Sequence, residues 1–179
     1  MTPAERVADA CLRWGDAEVV RRCGLLLRSG PSAIHDDLLE LVMVLGELTD
    51  RDWLAGGKPP GHGYWARVWA ARALLYVWND EASPAVLVAL ADEQWRVREM
   101  AAKVVLAREL AEGVEALVHG CADPVPRVRI AAARALAAVG EAEHAPGLRT
   151  LLDAEERRVA AAGAAALMTM SRRLDRDLD

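Results

Sequence analysis

The sequence predicts an all-α solenoid of about five helical pairs. Three observations predict it: a repeat of 31 residues (Ala66, Val97, Val128 and Val159 are spaced by that interval), small and apolar columns at helical spacing inside each repeat, and proline or glycine where helices should begin and end. Repetition carries the most weight. A period in this range means that each unit is one supersecondary element, which buries its apolar face only against its neighbours.

The first third of the chain is helical by periodicity but keeps the repeat poorly. One helix is predicted over 3–14 and a second over 17–28, stopped by Ser29, Gly30 and Pro31. A third, over 32–48, has apolar spacing at Leu38, Leu41, Val42 and Leu45. Residues 1–55 are therefore expected to be a degenerate helical cap on the array. The glycine- and proline-rich stretch 56–63 then interrupts the pattern as the longest expected loop.

Repeats fill 64–171. Below the first column come Ala70, Ala101, Ala132 and Gly163, then Ala71, Ala102, Ala133 and Ala164. Two more follow: Ala73, Val104, Ala135 and Ala166, and Leu74, Val105, Leu136 and Leu167. The columns fall at i, i+4, i+5, i+7 and i+8, and at ~100° per residue four of the five share one helix face. That is the buried face of a first helix. Its paired small residues let neighbouring backbones approach closely. A second helix begins at Ser83-Pro84 and at Ala145-Pro146, where proline suits the first turn and Ser83 can cap exposed donors. Its apolar columns are Val86, Leu117 and Leu148, then Leu90, Cys121 and Leu152. Two helices of roughly twelve residues and short turns account for the period. Residues 172–179 remain as a charged tail, and the whole chain is expected to form one solenoid domain.

Two segments carry a resemblance. Asp92-Glu93-Gln94-Trp95-Arg96-Val97-Arg98 leads to Ala101-Ala102, and Asp123-Pro124-Val125-Pro126-Arg127-Val128-Arg129 leads to Ala132-Ala133-Arg134-Ala135-Leu136. This aspartate, Val-Arg, Ala-Ala pattern resembles HEAT repeats, in particular the HEAT-like class of the phycobilisome lyases, over residues 64–170. The resemblance implies a right-handed α–α superhelix. It also implies a structural ladder in which Asp92 and Asp123 cap backbone N–H groups and pair with arginines such as Arg98 and Arg129. The first unit departs from the pattern with Gly61 at the aspartate position and the last with Ala160 in place of arginine, as end units of a solenoid do.

Composition narrows the function. The chain has 179 residues, is 53% hydrophobic and carries 22 basic against 27 acidic side chains, a net charge of -5. This argues against disorder and against nucleic-acid binding by bulk attraction. Neither end is a basic arm, since residues 1–63 hold 7 basic and 10 acidic side chains and 64–179 hold 15 and 17. No apolar run approaches the ~18 residues that cross a bilayer, and the start lacks a signal pattern, so a cytoplasmic protein is expected. Cys11, Cys23 and Cys121 are odd in number and unevenly spaced, which fits reduced thiols. Only Lys58 and Lys103 are lysines, and this arginine-rich, alanine-rich usage points to a GC-rich bacterial genome.

Few residues invite chemistry. Arg72, Lys103 and Arg134 form a second basic row, with Arg96 and Arg127 nearby, that either binds an acidic partner or is a solvated flank balanced by Glu99, Glu109 and Glu112. The chain has six Trp and no Phe. Trp69 shares a column with Met100 and Ala131 and reads as core. Trp65 and Trp95, near helix starts, read as candidate contacts together with Tyr64 and His62 beside the loop. His119 and Cys121 make a lone His-x-Cys, while His35, His62 and His144 are scattered, so neither metal nor cofactor is expected. Gly57-Lys58 lacks the spacing of a phosphate loop. The serines read as turn, cap or helix-end residues.

The chain thus reads as a non-catalytic scaffold or adaptor that docks a protein or peptide on the face of its second helices, as a monomer or weak homo-oligomer. The outward row there, Ala85, Val88, Ala116, His119, Gly147 and Thr150, is nearly neutral, so phosphate binding on it would be weak. Enzyme alternatives come from resemblance: a chromophore-lyase-like protein, or a DNA-glycosylase-like one. An accessory or immunity-type subunit is a further reading.

Overall fold

The computed structural model describes residues 1–29, 34, 36–48 and 63–178. They divide into two compact units, Met1–Ala89 and Leu90–Asp179. Among the described residues every regular element is helical.

The first unit holds α1 (Pro3–Trp14), α2 (Asp16–Arg28), α3 (Asp36–Gly46), α4 (Tyr64–Ala73) and α5 (Ser83–Ala89). A capping box starts α1: Thr2 Oγ1 accepts from Glu5 N, and Glu5 Oε2 accepts from Thr2 N at 2.6 Å. Two N-terminal donors that a helix leaves unpaired are thereby satisfied. Hydrogen bonds from Thr2, its backbone N–H first and its side chain second, hold the Glu5 carboxyl below the usual carboxylate range. The core is built on α2, which buries Val19, Val20, Cys23, Leu26 and Leu27 and packs against α4 and α5. Full burial of each such side chain stabilises by ~1.5–3 kcal/mol. From α3, Leu38, Leu41, Val42 and Leu45 join it, as their spacing predicts. Trp69 is half-buried rather than fully core, and its ring lies on Gly46, where an added Cβ would sit 2.5 Å from Cζ3. Of the expected third helix, residues 32, 33 and 35 lie outside the described residues, as does the 56–63 loop except Gly63.

The second unit holds α6 (Trp95–Arg108), α7 (Val114–Gly120), α8 (Pro126–Val139), α9 (Ala145–Arg149) and α10 (Arg157–Leu174). Here α8 is central and packs against α6, α7 and α10. The five columns predicted from the repeat are buried in both units, with the exception of Ala164 on α10. That helix packs on α8 and α9, and Ala164 lies on its remaining side.

Several expectations are corrected. The second helices are shorter than roughly twelve residues: α5 and α7 have 7 and α9 has 5, each preceded by a single 3-10 turn, Asp80–Ala82, Ala111–Gly113 and Ala142–His144. Pro84 and Pro146 offer no N–H to continue a longer α-helix, so the preceding turn closes by a tighter bond, as from His144 N to Glu141 O. Ser83 is already helical, and the capping acceptor is Asn79 Oδ1, which takes Glu81 N at 3.0 Å. The register also slips after α9, where Leu151 is buried and Leu152 exposed, and Ala85 faces the core instead of solvent. Finally, the stretch read as a tail from 172 is tied down. Arg173, in the last turn of α10, donates to the carbonyls of Ala137 and Gly140, and Arg149 donates to the carbonyl of Leu178, itself buried.

Candidate interaction surface

The polar side chains of the second unit are spent first on joining one repeat to the next. Asp123 is 8% exposed and accepts from Arg98 Nε at 2.7 Å, Arg98 Nη2 at 3.0 Å and Val125 N at 2.8 Å. One carboxylate thus receives a two-pronged guanidinium from α6 and a backbone donor at the start of α8. Arg98 Nη1 also donates to the carbonyls of Asp92 and Glu93, and Asp92 caps Gln94 N at 2.8 Å. The planar fork of arginine makes this arrangement possible, and lysine could not reproduce it.

The ladder changes partner at its end. Arg129 donates to the Asp123 carbonyl at 3.0 Å and to Glu156 Oε2 at 2.7 Å, while its buried Nε has no partner. The aspartate column, Asp92 then Asp123, continues to Ala154. Ala154→Asp is therefore expected to give Nε its acceptor and to accept from Glu156 N, as Asp92 does from Gln94 N and Asp123 from Val125 N. A gain of about 1 kcal/mol should follow, read as a rise in Tm of about 3 °C. An unchanged Tm would mean that the orphaned Nε costs nothing.

Beside the ladder runs the basic row. Glu99 is 7% exposed and accepts from Lys103 Nζ at 2.8 Å and Arg127 Nη2 at 3.1 Å. Trp95 is half-buried, with the guanidinium carbons of Arg96 and Arg127 at 4.4 and 5.4 Å from its ring. Its face is thus engaged by cations of its own chain. In the first unit, Tyr64, Trp65 and Trp69 form a stack with centroid spacings of 5.3 and 6.0 Å. Arg72 is half-buried on α4, Arg67 is buried at 4% exposure, and His62 lies outside the described residues.

Arg134 is different. It is exposed and lies at a groove of about 640 Å³ whose wall and floor come from α6, α8 and α10: Leu106, Ile130, Ala137, Ala161 and Ala165 among them, with Arg158 as its second charge. The groove belongs to the first helices and not to the second-helix row expected to dock a partner. In that row Ala85 is buried and Gly147 is half-buried, facing Val118 closely enough that an added Cβ would lie 3.3 Å from it.

Residues 104–169 match the family model for HEAT repeats. No curated protein matches the chain. The match begins near the end of α6 and runs into α10, and so takes in the residues that line the groove.

Within the second unit, where the HEAT repeats are matched, His144 is explained as structure, since its Nδ1 accepts from Glu141 N at 2.9 Å. His119 is exposed and Cys121 buried. Among the described residues no three His, Cys, Asp or Glu side chains gather as a metal site. No helix there is long and apolar enough to cross a membrane. Burial pushes the Cys23 and Cys121 thiols up to about 12, and burial together with a hydrogen bond to Asp16 pushes Cys11 to about 11. A raised value depletes the thiolate, which is the attacking species. Cys23 and Cys121 are therefore expected to resist a disulfide reagent at mildly alkaline pH until the protein is unfolded. Rapid modification of Cys121 in the folded state would contradict its burial.

Proposed function

We propose that this protein is a non-catalytic interaction module, a scaffold or adaptor that docks a polypeptide on the surface of its HEAT repeats. One observation carries the reading: the buried carboxylates of the second unit, Asp123 and Glu99, are engaged in joining one repeat to the next, while an apolar groove with two arginines stays open on the first helices. Apolar grooves with a few charged groups are the common seat of an incoming peptide or helix. The tryptophan stack of the first unit, with Tyr64 and Trp65, is a second contact region in this proposal.

The test is capture from the native cells with tagged chain, beside Ala165→Trp, which fills the groove at an exposed position. A stoichiometric partner with wild type that is lost with Ala165→Trp is the expected result. Absence of any specific partner would end the reading, as would coloured protein on purification or excision activity on damaged duplex.

A further inference from the structure

Where α6 meets α8, one buried carboxylate serves two cations: Glu99 holds Lys103 of its own helix and Arg127 of the next. One repeat later the cations recur. Arg134 stands at the Lys103 position and Arg158 at the Arg127 position, each 31 residues on, but the Glu99 position has become Ile130. Both arginines are exposed and have no hydrogen bond or ion pair among the described residues. No carboxylate lines the groove they share, although the chain as a whole is acidic, with a net charge of -5. The repeat has kept the cations of a two-cation site and dropped the anion.

We infer that the occupant of this groove is a polypeptide segment that brings the missing anion. An Asp or Glu side chain, set between apolar neighbours, sits over Ile130 and bridges Arg134 and Arg158, as Glu99 bridges Lys103 and Arg127. The inference rests on the scaffold reading and names the partner's chemistry. Guanidinium to carboxylate hydrogen bonds are strong and directional, so two arginines on opposite helices fix the register of the incoming segment. The alanines of α10 let its backbone come close, and an amphipathic helix with one acidic residue on its apolar face fits that shape. A nucleic-acid duplex fits less well, because it binds through a run of phosphates and needs a track of cations, where this groove has two over an apolar floor.

The experiment selects phage-displayed random peptides of about 16 residues, enough for four helical turns, on the full chain. Counter-selection uses Ile130→Glu, which supplies the carboxylate from within and should fold normally by circular dichroism. Enriched peptides are expected to carry Asp or Glu flanked by apolar residues at helical spacing, to bind Ile130→Glu roughly tenfold more weakly, and to weaken as salt is added. Arg134→Glu combined with Arg158→Glu, both at exposed positions, is a second route to the same loss should Ile130→Glu fold poorly. Several outcomes would overturn the inference: no enrichment, enrichment without an acidic residue, binding indifferent to both variants, or tighter binding of a duplex DNA probe. A cellular partner that stays bound to both variants would leave the scaffold reading standing and remove this groove as its seat.

Discussion

Asp123→Ala is expected to lower the stability of the protein by about 3 kcal/mol, with a fall in Tm of roughly 6–12 °C. Three hydrogen bonds end on this carboxylate, two from Arg98 and one from Val125 N. Its removal leaves a guanidinium whose side chain is 16% exposed without its anion, and uncaps α8. Breaking a fully buried pair costs more than this, and the residual exposure of Arg98 screens part of the loss. Asp123→Asn keeps an oxygen for Val125 N and should cost about half as much, which separates the capping share from the ionic one. A double-mutant cycle with Arg98→Ala in urea titrations isolates the pair, and an interaction energy on the order of 2 kcal/mol is expected. A coupling near zero would place the ladder with ordinary surface ion pairs and deprive the repeat interface of its polar clasp.

Much of the fold was legible because a fixed period copies burial from one unit to the next. Knowing that Ala101 is buried amounts to knowing it of Ala70 and Ala132, and the structure agrees. Second helices were harder to read. A 3-10 turn followed by five or seven residues has too few turns to hold a column, so Leu151 takes the buried place that the repeat assigns to Leu152. The groove was legible only in part. Arg134 was singled out by its row, whereas Arg158, 31 residues beyond Arg127, was not. Its signal lay in a departure from the columns, Ile130 at the place of Glu99, just as the end of the ladder is marked by Ala154 at the place of its aspartate. A missing partner is visible in sequence only once the structure has shown what the partner does in the neighbouring repeat.

Gly163→Val is expected to destabilise by about 3 kcal/mol, although it removes a glycine from the interior of a helix. The position belongs to a column that holds alanine at 70, 101 and 132. In α10 the approach of the preceding second helix is closer: a Cβ at 163 would lie 2.7 Å from Leu151 Cβ and 3.2 Å from the Leu148 carbonyl oxygen. Two effects oppose each other in Gly163→Ala. Helix propensity gains about 1 kcal/mol, while parting α10 from α9 costs about 2 kcal/mol, so a net loss of about 1 kcal/mol is expected. Valine adds two methyl groups to the same contact and a β-branch to the helix, and the loss grows accordingly. Urea unfolding measures both variants, and amide exchange should accelerate first in α9, whose seat on α10 is pushed away. An alanine variant more stable than the wild type would show that α9 shifts without cost. Close backbone approach would then not be what holds the last hairpin to its neighbour.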